Sequence, residues 1–283
     1  MQLRRFEGVA DFLDSAGSFL AAREAENNLI FGVCSNIRLQ PALFADQPPR
    51  FAVVTDSGDN VIAATLHTPP FDQVLSAIDD LGAVDLLVDA LEGPLPGVLG
   101  QPAPAERFAS RWSRRNGQSF RLALAERIFR LTRVVPPRAS DGSWRLAEPR
   151  DRDLLMDWIE AFGLEAVPED PPPPDLGAVA DRWIARIGRS AYLWQDPAGR
   201  VASLVGVGGE TPHGIRIGPV YTPPELRGRG YASNLTSAAS QDQLDLGPRF
   251  CFLFTDLANP TSNKIYRQIG YEPVCDMNLY RFG

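Results

Sequence analysis

Histidine is nearly missing from this chain: His67 and His213 are the only two in 283 residues. A metal centre built on imidazole, or a nucleophile–histidine triad, has almost no material to draw on. Both histidines sit beside turn residues, in His67-Thr-Pro-Pro and Thr211-Pro-His213-Gly214, which predicts ordinary loop positions for them. Cysteine is scarce as well. Cys34, Cys251 and Cys275 are too few and too scattered for a disulfide framework. Cys251, inside Phe250-Cys-Phe-Leu-Phe254, reads as a buried structural thiol. No cysteine or serine constellation suggests a covalent enzyme intermediate. No apolar run approaches membrane-spanning length. The opening Met1-Gln-Leu-Arg-Arg5 has the basic start of a secretion signal, but Glu7, Asp11 and Asp14 interrupt the apolar segment that should follow. These absences predict a soluble cytoplasmic protein with no metal and no membrane partner. The formal net charge of −7 argues against a nucleic-acid partner and suits a cationic acceptor.

What is present is apolar material, 44% of the chain, enough for one large or two small domains. The order of patterns repeats. Phe51-Ala-Val-Val-Thr-Asp-Ser-Gly-Asp-Asn-Val-Ile-Ala-Ala-Thr65 reads as strand, tight turn, strand, and so does Tyr192-Leu-Trp-Gln-Asp-Pro-Ala-Gly-Arg-Val-Ala-Ser-Leu-Val205. A helical pattern opens each half: Val9 to Arg23, then Asp151 to Phe162 with Leu154, Leu155, Trp158 and Phe162 on one face. Thr68-Pro-Pro-Phe71 echoes Thr222-Pro-Pro-Glu225. The Pro/Gly/Ser-rich stretch Val135 to Ser143 is a linker, so the predicted domains are residues 1–138 and 139–283. Pro168-Glu-Asp-Pro-Pro-Pro-Pro-Asp175 predicts a stiff extended loop between two helices of the second half.

The most informative stretch is Val220-Tyr-Thr-Pro-Pro-Glu-Leu-Arg-Gly-Arg-Gly-Tyr-Ala-Ser233. An apolar strand, Ile215 to Tyr221, leads into a turn and then into a helix-forming run, Ser233 to Leu244. Arg227, Gly228, Arg229, Gly230, Tyr231, Ala232 and Ser233 thus present consecutive backbone N–H groups at a helix N-terminus. The glycines let an anion approach the backbone, and the helix dipole favours it: a pyrophosphate cradle. The Gly-Lys-Ser/Thr ending of an ATP loop is missing, as is the G-x-G-x-x-G dinucleotide fingerprint. In the first half, Leu95 to Pro104 occupies the corresponding place, where Pro102 and Pro104 remove donors that a phosphate would need.

With these residues in view, the chain resembles the GNAT superfamily of acyl-CoA-dependent N-acyltransferases. Arg227, Gly230 and Ala232 match that family's Gln/Arg-x-x-Gly-x-Gly/Ala loop. Downstream, Phe252-Leu-Phe-Thr-Asp-Leu-Ala-Asn-Pro-Thr-Ser-Asn-Lys-Ile-Tyr266-Arg-Gln-Ile-Gly-Tyr271 matches its second block at Asn259, Tyr266 and Gly270-Tyr271. The resemblance implies an α/β fold of two tandem GNAT-like domains, each a mixed, mainly antiparallel sheet flanked by helices. The first would be degenerate, without a CoA loop. The second would bind acetyl-CoA as cosubstrate, with no metal, and pass the acyl group to the amine of a small molecule or peptide. The implied roles follow: the strand edge at Val220 and Tyr221 for the pantetheine arm, and the cradle for the pyrophosphate. Asn259 and Asn263 would contact the cofactor, and Tyr266 would be the general acid. A phenol stays protonated at neutral pH and can donate to a departing thiolate. The base is the open role; Glu165, at the end of the first helix of that half, is the first choice over Glu210 and Asp256. A non-catalytic acyl-CoA-binding or regulatory module is the competing reading, in which Tyr266 serves packing.

Overall fold

The computed structural model describes residues 1–283. The chain folds into two compact units. The first comprises Met1–Ile128 with Thr255–Asn259 and Val274–Gly283; the second comprises Phe129–Phe254 with Pro260–Pro273.

The order of strands and helices occurs twice. The first pass is β1 (Gln2–Phe6), α1 (Val9–Ala22), α2 (Asn28–Leu39), β2 (Arg50–Thr55), β3 (Val61–His67), β4 (Gln73–Leu75), α3 (Leu81–Ala90), β5 (Gly97–Gly100), α4 (Pro102–Asn116) and β6 (Phe120–Leu131). The second is β7 (Ser143–Leu146), α5 (Arg152–Ala166), α6 (Leu176–Ile184), β8 (Arg189–Gln195), β9 (Val201–Gly208), β10 (Gly214–Tyr221), α7 (Tyr231–Leu246), β11 (Phe250–Asp256), α8 (Pro260–Gln268) and β12 (Glu272–Phe282). The repeated hairpins turn by the same device. Asp56 accepts from the amides of Gly58 and Asn60 at 2.8 and 2.9 Å, and Asp196 accepts from those of Ala198 and Arg200 at 3.0 Å. The shared Thr-Pro-Pro string is not part of this register. It falls between β3 and β4 in the first pass and after β10 in the second.

In the first unit the strand order is β1-β2-β3-β4-β5-β12. All these pairs are antiparallel except β4 with β5. The partners of β5 come from the end of the chain: Asn278, Leu279, Tyr280 and Arg281 lie opposite Gly100, Leu99, Val98 and Gly97. A single cut between residues 138 and 139 therefore does not describe the compact units. Helices α1 and α2 cover one face through Phe12, Leu20 and Ile30, and α3 and α4 the other through Leu87, Phe108 and Trp112. The second unit has the order β11-β10-β9-β8-β7, again with one parallel pair, β10 with β11. Leu155 of α5 and Trp183 of α6 pack on Ala191, Leu193 and Leu204. Leu235 and Ala239 of α7 and Tyr266 of α8 pack on Val205, Ile215 and Cys251.

Two sequence expectations need correcting. His67 is not a loop residue; it ends β3 and is buried, and desolvation lowers its pKa, so the ring is neutral. Nor is Leu95 to Pro104 the counterpart of the glycine loop, because it forms β5 and opens α4. The true counterpart is Ser76 to Asp80, between β4 and α3. There Asp80 caps the helix, accepting from Gly82 N at 2.8 Å. A carboxylate already occupies that helix N-terminus, so an anion is repelled where the second unit would attract one. Cys251 is fully buried as expected, and burial pushes its thiol up to about 12. No helix is long and apolar enough to cross a membrane.

Tyr280 tests the contribution of the C-terminal strand to the first unit. Its ring is buried with the α3/α4 core and packs edge-on against Phe120 at 5.7 Å. Tyr280→Ala is expected to cost about 3 kcal/mol or more, and Tyr280→Phe about 1 kcal/mol or less. Urea titration of both variants measures the difference.

Candidate functional site

The second unit is organised by an interruption in β10. Its parallel pairing with β11 runs over Gly214↔Phe250, Ile215↔Cys251 and Arg216↔Phe252, and stops there. On the other side β10 stays with β9, through a bulge that separates Ile217↔Val207 from Val220↔Val205. Gly218 and Pro219 occupy the bulge, and proline has no N–H to continue a ladder. Beyond it, Val220 and Tyr221 are paired to β9 alone, so their other backbone edge is available to an extended ligand. The Gly-Pro step inside an apolar strand was the sequence signal for this bulge.

After β10 the chain makes a short 3-10 turn, Pro224–Leu226, and enters α7 through the glycines. Gly228 (φ 77°) and Gly230 (φ 81°) both have left-handed backbones, which glycine adopts without strain. A Cβ added to Gly228 would meet nothing within 4 Å, so that side of the loop is open. A Cβ on Gly230 would lie 2.4 Å from Ser140 Oγ. Ser140 braces the loop from behind: its hydroxyl donates to the Arg229 carbonyl at 2.8 Å. Asn234 Nδ2 donates to Ser140 Oγ and to the Gly230 carbonyl, both at 3.0 Å. The sequence marks neither brace: Ser140 is far from the loop along the chain, and Asn234, one helical turn past Gly230, is an ordinary polar helix residue in sequence. With the carbonyls held back, the half-buried first turn of α7, at Tyr231, Ala232 and Ser233, offers amides that have no acceptor within the helix.

Arg227 does not point into this cradle. Its Nε donates to the Thr222 carbonyl at 2.8 Å and its Nη2 to Glu165 Oε2 at 2.6 Å. Glu165, at the C-terminal end of α5, is therefore a strut on the loop, half exposed. Tyr221 stands beside this pair. Its pKa is raised by burial and then by the Glu165 carboxylate, and its ring meets Trp158 edge-on at 5.8 Å. Arg229 is exposed. Asn259 is exposed and immediately precedes Pro260, the first residue of α8, in the position for a helix cap. Asn263 is half-buried on the first turn of α8.

Tyr266 lies on the α7/α8 side of the sheet, between Phe129 (6.4 Å between ring centroids) and Tyr271 (6.1 Å). Its hydroxyl has no hydrogen-bond partner in the protein, whereas that of Tyr271 is bonded to Ser240 Oγ at 2.8 Å. Burial alone pushes the Tyr266 phenol up to about 12. Tyr266 thus packs as a core aromatic and still has an uncommitted, firmly protonated O–H. Tyr266 and Glu165 belong to opposite faces of the sheet.

The FR47-like protein family model matches residues 200–280. No curated protein sequence matches significantly. Among solved structures, a Drosophila protein superposes with a TM-score of 0.71 at 11% identity, covering 99% of this chain and 98% of its own. An acetyltransferase of the GNAT family from Colwellia psychrerythraea gives 0.57 at 10% identity, with 100% and 99% covered. A tandem GNAT protein from the clavulanic acid biosynthesis pathway gives 0.55 at 16% identity, with 100% and 98% covered.

Two outcomes follow from the geometry. Glu165→Gln breaks a half-exposed ion pair, so the loss of stability read by urea titration is expected to be about 1 kcal/mol or less. Tyr266, with its raised pKa, stays protonated at pH 10, where an ordinary phenol is half ionised. Ultraviolet titration of wild type against Tyr266→Phe should show no difference in tyrosinate absorbance until the pH approaches 12.

Proposed function

We propose that this chain, which has the GNAT fold twice in tandem, is an acyl-CoA-dependent N-acyltransferase whose second unit carries the activity. The observation behind this reading is the continuity of two features: the open-sided glycine loop at the start of α7 and the unpaired edge of β10 that leads to it. Together they suit a ligand with a pyrophosphate at one end and an extended amide-bearing arm. Acetyl-CoA is the proposed donor; its thioester supplies the activated carbonyl carbon.

In this reading the amides from Gly228 to Ser233 bind the pyrophosphate, with Ser140 and Asn234 holding the loop carbonyls out of its way. The edge of β10 at Val220 and Tyr221 orients the arm toward the gap beyond Arg216↔Phe252. A primary amine forms the new C–N bond by direct attack, and the C–S bond breaks. The protonated hydroxyl of Tyr266 gives its proton to the departing sulfur. The amine proton leaves to a carboxylate or to water; Glu165 is the carboxylate paired with Arg227 of the loop. The first unit takes no donor, because Asp80 fills the equivalent helix start.

Isothermal titration with acetyl-CoA tests the reading, with Gly228→Glu as the blocking variant. That side chain enters open space, whereas one at Gly230 would also displace Ser140. One site per chain is expected in the wild type, with affinity lost in the variant. Two sites would mean the first unit also binds, and none would remove the acyltransferase reading. Tyr266→Phe should keep acetyl-CoA binding and lower kcat by about 10²-fold. Unchanged turnover would take the acid role from Tyr266, and binding without turnover of any amine would leave a non-catalytic acyl-CoA module.

A further inference from the structure

In the first unit a cleft of about 890 Å³ opens beneath the end of α3. Its floor is the sheet. Ala52, Ala63 and Leu75 belong to the α3/α4 core, so Arg50, Thr65 and Gln73, each two residues away on its strand, emerge on that same face. Arg5 lies opposite Ala52 and joins them. The roof is Ala90 to Gly93, where the chain leaves the helix. Two arginines tie the roof to the floor: Arg5 donates to the Ala90 carbonyl, and Arg50 Nη1 donates to the Glu92 carbonyl at 3.0 Å. Pro49, Ala52 and Leu91 add apolar wall.

The polar groups of the floor are arranged in one direction only. Thr65 Oγ1 donates its single hydrogen to the Val74 carbonyl at 2.7 Å. Towards Gln73 it can therefore only accept, and it accepts from Gln73 Nε2. That turns the amide nitrogen to Thr65 and leaves Gln73 Oε1 as the free acceptor. Gln73 is 1% exposed, lines the cleft, and its Oε1 has no partner in the protein. A buried acceptor left without a donor is costly, and one at the wall of a cleft is satisfied by what enters. No charge stands beside it on the floor. His67, between Arg50 and Gln73 in register on the same face, is neutral. The charged residues of the cleft, Arg5, Glu7, Arg50 and Glu92, are all exposed and balance in sign. An ammonium or carboxylate at the inner wall would thus lose its water without meeting a counter-charge.

We infer that this cleft binds an uncharged small molecule with an apolar body and a hydroxyl or amide N–H, and that Gln73 Oε1 receives that hydrogen. The volume is in the range of sites that take small organic ligands. Gln73 sets the specificity, and Thr65 positions it. The inference is independent of the acyltransferase reading, because every residue of the cleft lies in the first unit. It gives that unit, whose helix start is closed by Asp80, a ligand of its own.

The test is a ligand-detected NMR titration of the full chain with matched probes: phenol against anisole, and benzamide against N,N-dimethylbenzamide. Only the first of each pair can donate. It should bind about fivefold tighter or more than its partner, the gain that a neutral hydrogen bond supplies. A preference in one pair alone distinguishes hydroxyl from amide. Benzylamine, a cation at neutral pH, should bind no better than benzyl alcohol. Gln73→Met, similar in size but without the acceptor, should bring each pair to equal affinity. Ala90→Trp places a ring in the cleft from a half-buried roof position and leaves the Ala90 carbonyl in place for Arg5, so it should abolish binding of all four probes. If Gln73→Met does not fold, the wild-type pairs and Ala90→Trp decide. Equal affinity within both pairs in the wild type, or no binding of any probe, would overturn the assignment. So would a preference that survives in Gln73→Met, tighter binding of benzylamine, or undiminished binding in Ala90→Trp.

Discussion

In the second unit, a β-strand must stop pairing on one side while remaining held on the other. Gly218 and Pro219 impose this on β10: the proline has no donor for the ladder, and the bulge carbonyl turns toward β9. The neighbouring strand must make room, and Gly206 does so. Side chains strengthen the hold on the β9 side. Ser203 Oγ on β9 donates to the Tyr221 carbonyl at 3.1 Å and is bonded to Thr222 Oγ1 at 2.8 Å. Beyond the bulge lies the backbone edge of Val220 and Tyr221 that is paired to β9 alone, and a short turn then leads to the glycine loop.

The loop is held in shape by groups that lie behind its open side. Amides bind an anion well only if their carbonyls point elsewhere, and a left-handed glycine pair achieves this only when it is fixed. Ser140, Asn234 and the Arg227–Glu165 pair each anchor a different point. Ser140 is in the stretch that reads as a mere linker. Its hydroxyl lies where a Gly230 Cβ would be, so the same contact that braces the loop also restricts Gly230 to glycine.

The two units differ in how the equivalent helix begins. Both follow the same order of elements and both place a helix after a strand with one parallel neighbour. In one, the helix starts at a glycine with its first turn unclaimed; in the other, Asp80 supplies both the cap and a negative charge. The hydrophobic cores on the two faces are indifferent to that exchange, since it alters only a helix end.

From sequence alone came the repeated hairpins, the glycine loop with its helix, and the Tyr266 block. These depend on local chemistry: an aspartate that opens a glycine-containing turn folds a hairpin, and closely spaced glycines before a helix-forming run mark an open turn into that helix. Leu95 to Pro104 misled because a Pro/Gly composition marks irregular chain without saying which junction it serves. His67 misled because neighbouring prolines signal a turn, whereas burial depends on what packs above the strand. Tertiary structure alone decided that the last strand completes the first unit. It also turned Arg227 away from the cradle onto Glu165, and it set Gln73 of β4 beneath the end of α3. Those outcomes are pairings between residues far apart in the chain, set by strand register and by the face on which each side chain emerges, and no local window contains both partners.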